Sequence, residues 1–191
     1  MAEASCVAVL AAGRGTRFGG NKLEAICAGK PLGRWVLDAV ESAGLEPGLI
    51  VTGPEGASYA PGWTRVINPM PEAGLGSSLA LAAQLALAAG RKALLVLLAD
   101  MPLVTPGYVR ELAAARAPAA TRQADGRAGV PALLDGALLE QAVSLSGDRG
   151  AGSLLSGAAL LEPPAGMLAD VDEPGDLANV ERILRQAQVG E

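Results

Sequence analysis

The stretch CVAVLAAGRGTRFGGNK, residues 6–22, decides the fold class of this 191-residue chain. Residues 6–12 are apolar without interruption, a pattern typical of a parallel strand that is buried on both faces. A loop rich in glycine and arginine follows from Gly13 to Gly20. Glycines after a strand let backbone N–H groups approach an anion closely, and the arginines and Lys22 add positive charge. The stretch therefore indicates a strand that ends in an anion-binding loop.

The same alternation of apolar strands and helical segments continues along the chain. It predicts an α/β fold with a mostly parallel sheet, and no linker or repeat interrupts it, so we expect a single domain over residues 1–191. The predicted strands cover residues 6–12, 49–52, 65–68, 93–99, 120–123, 130–134 and 167–171. The predicted helices begin at Pro31, Ser77 or Ser78, Pro106, Gly136, Gly150 and Pro174.

The composition excludes several classes of mechanism. The chain contains no histidine, which removes the Ser-His-Asp and Cys-His arrangements and every zinc site that needs histidine. Its two cysteines, Cys6 and Cys27, are too few for a disulfide framework or a four-cysteine metal site. The apolar run at residues 93–99 is too short to span a bilayer, and the segment around Glu3 does not resemble a signal peptide. We therefore expect a cytoplasmic protein that makes no membrane contact.

The charge of the chain is acidic overall but uneven. The formal net charge is −5, which argues against nucleic acid or an anionic membrane as a partner because both attract basic surfaces. A basic N-terminal stretch on an acidic protein predicts a small anionic ligand instead. The basic residues of that stretch are Arg14, Arg17, Lys22, Lys30 and Arg34.

Acidic side chains follow two of the predicted strands. Asp100 comes directly after the run 93–99, at the strand end where parallel sheets bind ligands. Asp170 and Asp172 form a second source of carboxylates and share one face of a strand. Magnesium beside substrate phosphates takes few protein ligands, so these residues are candidates to hold it. Each has a structural alternative, Asp100 as a turn or helix-cap residue and Asp172 as the cap of the helix that begins at Pro174.

Further glycine-rich segments are candidates for contact with a ligand. The loop at residues 13–20 is not a Walker A motif, because Asn21 stands where lysine is required. It is not the dinucleotide fingerprint either, because Phe18 replaces the third glycine. GLGSSL at residues 74–79 offers N–H groups and hydroxyls at the start of a helix, which is equally consistent with ordinary capping. Arg149 is either an anion contact or a solvated loop charge.

Taken together, these segments resemble the small nucleotidyltransferases of the MobA-like NTP transferase family. LAAGRGTRFGGNK at residues 10–22 is similar to the family's first motif, and DMP (100–102) and DVDEPGDL (170–177) fall in the family's order and spacing. GLGSSL (74–79) and LSGDRGA (145–151) resemble the molybdenum cofactor cytidylyltransferase branch. The resemblance spans nearly the whole chain and implies a three-layer, Rossmann-like, mostly parallel sheet with helices on both faces.

The resemblance also implies a reaction and its residues. The enzyme would transfer CMP from CTP to a phosphorylated acceptor, molybdopterin or the molybdenum cofactor, with Mg²⁺ and release of pyrophosphate. Arg17, Lys22 and Asp100 would be catalytic, and Asp172, or Asp170 in its place, would hold Mg²⁺ together with Asp100. Ala11–Ala12 and Ser77–Ser78 would border the base, a combination that accompanies cytosine in this branch. A molybdoenzyme or its chaperone would be the protein partner. The nucleotide would be bound by Leu10, Ala11, Ala12, Gly13, Arg14, Gly15, Lys22, Gly76, Ser77, Ser78 and Asp100.

One segment departs from the family pattern. GVP at residues 129–131 stands where the family usually has Gly-His-Pro, so a contact on the acceptor side is lost. Two other hypotheses therefore stay open. One is a nucleotidyltransferase for a different acceptor, such as a sugar 1-phosphate or a methylerythritol phosphate, and the other is a non-catalytic nucleotide- or cofactor-binding module. The absence of histidine fits the implied chemistry, because an acceptor phosphate is already an anionic nucleophile.

Overall fold

The computed structural model of the chain describes residues 6–13, 18–145, 147, 152 and 154–189. A seven-stranded sheet forms its centre, and a small two-stranded hairpin lies beside it. The sheet strands are β1 (Cys6–Ala11), β4 (Leu49–Thr52), β5 (Thr64–Ile67), β6 (Ala93–Leu98), β7 (Ala119–Arg122), β8 (Ala128–Asp135) and β9 (Ala159–Leu161), and the hairpin strands are β2 (Ile26–Cys27) and β3 (Lys30–Pro31). The α-helices are α1 (Arg34–Ser42), α2 (Leu75–Ala88), α3 (Pro106–Ala114), α4 (Gly136–Ala142) and α5 (Pro174–Val189).

The sheet is mostly parallel, as predicted. Its strand order is β5-β4-β1-β6-β8-β7-β9, and only β8 runs antiparallel to its neighbours. From β1 the chain passes to β4 and β5 on one side and then returns to β6 on the other side. The point between β1 and β6 is therefore a topological switch point, where ligands bind at the carboxyl ends of the strands of an open α/β sheet.

Helices cover both faces of the sheet, which explains the uninterrupted apolar run of β1. Val7 and Val9 face a core shared with α1 and α3, whereas Ala8 and Leu10 face a second core shared with α2 and α4. Because successive side chains of a strand point to opposite faces, a strand between two cores must be apolar at every position. The three-layer α/β arrangement implied by the resemblance is confirmed.

Two predicted helix starts are wrong. The first helix begins at Arg34, because Pro31 pairs with Ile26 in the hairpin, whose turn places Ala28 at φ 50° and the next residue at 92°. Positive φ at both central residues is the geometry of a type I′ turn. Helix α2 begins at Leu75, before either predicted serine cap. By contrast, Thr105 does cap α3, and its Oγ1 accepts a hydrogen bond of 3.3 Å from the Tyr108 amide.

The end of the chain also differs from the prediction. Residues 167–171 form turns and irregular backbone, not a strand. The outer edge of the sheet is taken instead by β9, which pairs with β7. The helix predicted from Gly150 falls largely outside the described residues. Among the helices that the structure describes, none combines the length and the apolar character needed to cross a membrane.

Candidate active site

Lys22 lies at the centre of the site. It is the first residue of a 3-10 helix, Lys22–Glu24, which follows Asn21 in the left-handed conformation (φ 46°). Gly19 and Gly20, at φ 94° and 102°, lead into this turn, and a side chain would be strained at either position. The turn directs the lysine inward, so that only 8% of its side chain is exposed.

Two carboxylates converge on the Lys22 ammonium group. Lys22 Nζ donates a hydrogen bond of 2.9 Å to Asp100 Oδ2 and one of 3.4 Å to Asp172 Oδ1. Asp100 follows the carboxyl end of β6, and Asp172 lies two residues before the start of α5. The two aspartate side chains are 26% and 46% exposed, so both remain accessible from the solvent side. Residues that lie 78 and 150 positions from Lys22 in the sequence therefore meet at the switch point.

Backbone and side-chain hydrogen bonds fix the segment that carries Asp172. The Val171 amide donates to the Asp100 carbonyl oxygen at 3.2 Å. The carboxylate of Asp176 accepts hydrogen bonds from the Asp172 amide at 3.0 Å and from the Glu173 amide at 2.8 Å. These two bonds hold the pKa of Asp176 below its usual range. Asp176 therefore satisfies the N–H groups of Asp172 and Glu173 just ahead of α5, and the carboxylate of Asp172 contacts Lys22.

Asp170 lies close to the same group but does not complete a cluster. Its side chain is exposed, yet partial desolvation raises its pKa, and the negative charges of Asp172 and Asp100 raise the pKa further. Within the described residues, no three Asp, Glu or Cys side chains are grouped to hold a metal ion. Asp100 and Asp172 are thus the pair that the structure brings together, with Asp170 as a neighbour.

A cleft of about 550 Å³ opens beside Lys22. Its walls include Ala11, Ala12 and Gly13 at the end of β1, together with residues of the loops that follow β4 and β5. The predicted ligand residue Leu10 is not among the residues that line the cleft: its side chain lies in the core next to α2, and its carbonyl oxygen accepts a hydrogen bond from the Ala99 amide. The predicted residues at the end of β1 and Lys22 therefore share one cleft.

The predicted serine pair binds Asn68, which was not among the predicted site residues. The side-chain amide of Asn68 donates to Ser77 Oγ at 2.8 Å and to Ser78 Oγ at 3.0 Å. Asn68 and Ser78 are both 3% exposed, so this contact is internal. The neighbouring Gly76 is buried as well, and its amide donates to the Gly147 carbonyl oxygen. The position of Asn68 directly after β5, at the ligand-binding end of a parallel strand, was the signal that could have identified it.

Another contact that the sequence does not predict lies beside the cleft, between Glu24 and the loop after β4. Both oxygens of the Glu24 carboxylate accept hydrogen bonds from Ser58, one from its amide at 2.8 Å and one from its hydroxyl at 2.7 Å. This contact ties the loop after β4 to the Lys22–Glu24 helix. The next residue, Tyr59, lines the cleft and is 5% exposed. Its hydroxyl has no hydrogen-bond partner among the described residues, and burial raises its pKa.

Two basic residues of the N-terminal stretch, Lys30 and Arg34, lie away from Lys22 and the cleft. Lys30 forms an ion pair with Asp38 and lies over the ring of Trp35, and Arg34 binds Asp38 and Glu41 on α1. Both are therefore half-buried partners of helix α1 and lie outside the cleft. Three predicted ligand residues of the loop, Arg14, Gly15 and Arg17, fall outside the described residues, as does Arg149.

The arrangement offers groups that suit an anion and a divalent cation. The cleft presents a buried ammonium group and backbone after a parallel strand, which suit phosphate groups. Carboxylate oxygens such as those of Asp100 and Asp172 are the ligands that Mg²⁺ and Mn²⁺ prefer. Two carboxylates that already share one cationic partner fit a small divalent ion that also takes oxygens from water and phosphate.

Comparisons with known proteins bear on the family and the fold. The family model described as the MobA-like NTP transferase domain matches residues 7–163. A search among curated proteins finds no significant match to the chain.

Several solved structures share the fold. A nucleotidyl transferase from Methanothermobacter, Mth528, is 24% identical, with a TM-score of 0.79 over 97% of this chain and 99% of that chain. Rv0371c from Mycobacterium tuberculosis is 22% identical, with a TM-score of 0.75 over 94% and 99%. A second structure of Rv0371c, a complex with manganese, is 22% identical, with a TM-score of 0.71 over 93% and 97%.

Proposed function

The chain belongs to the MobA-like NTP transferase family and is a nucleotidyltransferase, and we propose that it transfers CMP from CTP to molybdopterin or the molybdenum cofactor. The observation that carries this proposal is the contact of Lys22 with Asp100 and Asp172 beside the cleft at the end of β1. In this contact the lysine that would bind phosphate meets the two carboxylates that would bind a metal ion, at the switch point of the sheet. We further propose that the chain forms one domain and acts in the cytoplasm.

The reaction forms one P–O bond and breaks another. An oxygen of the acceptor's terminal phosphate attacks the α-phosphorus of CTP, and the bond from that phosphorus to the bridging oxygen breaks. Pyrophosphate leaves with the bonding electrons. The nucleophile arrives ionised, so no side chain needs to remove a proton from it, which accords with the absence of histidine. Catalysis then depends on alignment and on positive charge near the phosphates.

The residues of this chain have distinct roles in the proposal. Lys22 and Arg17 neutralise negative charge on the phosphate groups, and Arg14 and the backbone of Gly13 and Gly15 surround them. Asp100 and Asp172 would hold Mg²⁺, with Asp170 beside them. When bound, Mg²⁺ supplies positive charge at the phosphates and at the leaving pyrophosphate. The hydrogen bonds that the Asp176 carboxylate accepts from the Asp172 and Glu173 amides orient the Asp172 segment toward Lys22.

The choice of CTP rests on the cleft wall and on the branch motifs. Ala11 and Ala12 line the cleft and are 8% and 6% exposed, so they leave a small, apolar surface for a base. Ser77 of the GLGSSL segment accepts a hydrogen bond from Asn68, and Pro69, the residue after Asn68, lines the cleft. The alanine pair and the serine pair occur together in the cytidylyltransferase branch that this chain resembles.

A second candidate concerns the acceptor. Val130 stands where the family usually has histidine, and its carbonyl oxygen accepts a hydrogen bond of 3.1 Å from the Gln123 side chain. A valine cannot donate a hydrogen bond to an anionic acceptor as a histidine can. This observation favours a nucleotidyltransferase for another phosphorylated acceptor, such as a sugar 1-phosphate or a methylerythritol phosphate, as the alternative. With molybdopterin as acceptor, a molybdoenzyme or its chaperone would receive the product.

A screen of each NTP against each acceptor, read as pyrophosphate release with Mg²⁺, tests the proposal. We expect turnover with CTP and the molybdenum cofactor. If CTP reacts only with a sugar phosphate or a methylerythritol phosphate, the proposed acceptor is wrong and the proposed donor stands. Binding of CTP without pyrophosphate release under any combination would argue for a non-catalytic module. The Asp100→Asn variant serves as the inactive control.

A further inference from the structure

Lys22 occupies the space between the two carboxylates that suit a divalent cation. Its Nζ lies 2.9 Å from Asp100 Oδ2 and 3.4 Å from Asp172 Oδ1, and its side chain is almost fully buried. The ammonium group therefore serves as the counter-ion of this pair. Without it, two carboxylates facing the same point would repel each other and bind a cation more readily.

A divalent cation needs the same oxygen atoms that Lys22 holds. Bound Mg²⁺ lies about 2.1 Å from its ligand oxygens, so it cannot share a position with an ammonium nitrogen. We propose that Lys22 is a resident counter-ion that competes with the divalent cation for Asp100 and Asp172. The cation binds well only after a nucleotide phosphate attracts Lys22 away from the carboxylates. This inference rests on the roles that the proposed function gives to these three residues.

The position of Lys22 allows this exchange without a change of fold. Lys22 lines the cleft while its Nζ contacts the carboxylates, so one side chain borders both the proposed phosphate site and the proposed metal site. A lysine side chain has a flexible four-carbon stem and can move its charge by rotation about side-chain bonds. Nucleotide and cation binding are therefore coupled, and the coupling is reciprocal by thermodynamic linkage.

Titration of the nucleotide-free full chain with Mn²⁺ tests the proposal, with free Mn²⁺ measured by electron paramagnetic resonance. Replacement of the lysine, Lys22→Met, removes the competing charge and should lower the Kd for Mn²⁺ by about tenfold or more, within the usual range of coupling between sites. The matched control is Lys30→Met, because Lys30 also pairs with an aspartate, Asp38, but outside the cleft. This control should leave the Kd for Mn²⁺ unchanged.

Two further measurements separate competition from a general effect of the mutation. The variant Lys22→Arg keeps the positive charge and should bind Mn²⁺ about as weakly as the wild type does. In the wild-type protein, saturating Mg²⁺ should increase the rate of reductive methylation of Lys22 several-fold, as measured by mass spectrometry. Lys30 acts as the internal reference in the same sample. This second measurement needs no variant, so it decides the matter even if Lys22→Met does not fold.

The proposal is overturned if Lys22→Met binds Mn²⁺ no more tightly than the wild type, or if Mg²⁺ leaves the labelling of Lys22 unchanged. Neither experiment uses an acceptor or follows turnover. A failure to find cytidylyl transfer would therefore leave this result intact, and equal Mn²⁺ binding in both proteins would leave the proposed reaction intact.

Discussion

At the scale of single residues, Asp100 has the position with the clearest chemical consequence. It follows the deeply buried strand β6, and its carboxylate contacts Lys22. The change Asp100→Asn keeps the shape of the side chain and removes its charge. We expect turnover to fall by about a hundredfold or more, because an amide is a poor substitute for a carboxylate in binding a divalent cation. Steady-state kinetics and circular dichroism would measure activity and fold together.

Asp38→Asn provides the matched control for this prediction. Asp38 also pairs with basic residues of the N-terminal stretch, Lys30 and Arg34, but on helix α1. Its replacement should lower the melting temperature and leave kcat unchanged. Wild-type turnover in the Asp100→Asn variant would remove Asp100 from the proposed metal site.

The two tyrosines of the chain give a prediction about stability. Both are buried, but the hydroxyl of Tyr108 binds Thr121 Oγ1 at 2.9 Å, whereas that of Tyr59 has no partner among the described residues. An unsatisfied buried donor is costly, so Tyr59→Phe should raise the free energy of unfolding by about 1 kcal/mol. Tyr108→Phe should lower it by about 1 kcal/mol because it breaks a hydrogen bond. Urea unfolding of both variants measures the difference, and a loss of stability in Tyr59→Phe would contradict it.

The sequence predicts the site residues whose position along a strand is informative. Asp100 follows the apolar run 93–99, so the rule that parallel strands bind ligands at their carboxyl ends makes it a candidate. Lys22 lies ten residues beyond the run 6–12, and it is a candidate because of the glycine- and arginine-rich loop before it and the family resemblance. Tyr59 and Glu24 belong to loops, where nothing in the sequence specifies which segments touch. Their contact depends on how the loop after β4 folds back onto the Lys22–Glu24 helix.

At the scale of elements, the segment before α5 determines where Asp172 lies. The Asp176 carboxylate accepts hydrogen bonds from the amides of Asp172 and Glu173. We expect Asp176→Ala to lower kcat several-fold without a matching change in KM, because the segment that carries Asp172 loses its anchor. Asp125→Ala is the control, since the Asp125 carboxylate accepts a similar bond from the Arg127 amide in the β7–β8 turn. Equal activity of the two variants would show that Asp176 has no positioning role.

Elements with a strong apolar or capping pattern were predictable, and short elements at the edges were not. The strands β1, β4 and β6 are deeply buried, and their composition alone identifies them. The hairpin of β2 and β3 has two residues in each strand and depends on its turn and on contacts with α1 and α5. Residues 167–171, apolar except for Asp170, predict a strand, but Met167 and Val171 are buried by packing outside the sheet. An apolar composition indicates that a segment is buried, but it does not show whether the buried segment is a strand or a packed loop.

At the scale of the whole molecule, the two faces of one sheet carry the main apolar cores. Both cores contain residues of β1 and β6, so neither can be lost without disturbing the other. We therefore expect the chain to unfold in one cooperative transition, with equal calorimetric and van't Hoff enthalpies. Two separate transitions in differential scanning calorimetry would contradict the proposal of a single domain.

The fold assigns different positions to the basic residues of this acidic chain. Lys30 and Arg34 stabilise helix α1 through Asp38 and Glu41, whereas Lys22 is the basic residue that the fold brings to Asp100 and Asp172. Over the part of the chain that the structure describes, Lys22 is thus the buried basic residue of an acidic protein, and it lies next to a cleft. A site of this kind favours an anionic ligand that binds together with a cation.

Pyrophosphate release by the purified chain, with Mg²⁺ and the molybdenum cofactor as acceptor, tests the central claim most directly. Each of the four NTPs is supplied in turn, and the Asp100→Asn variant sets the background. We predict release with CTP at a rate well above that with ATP, GTP or UTP. Release with another NTP and none with CTP would contradict the account.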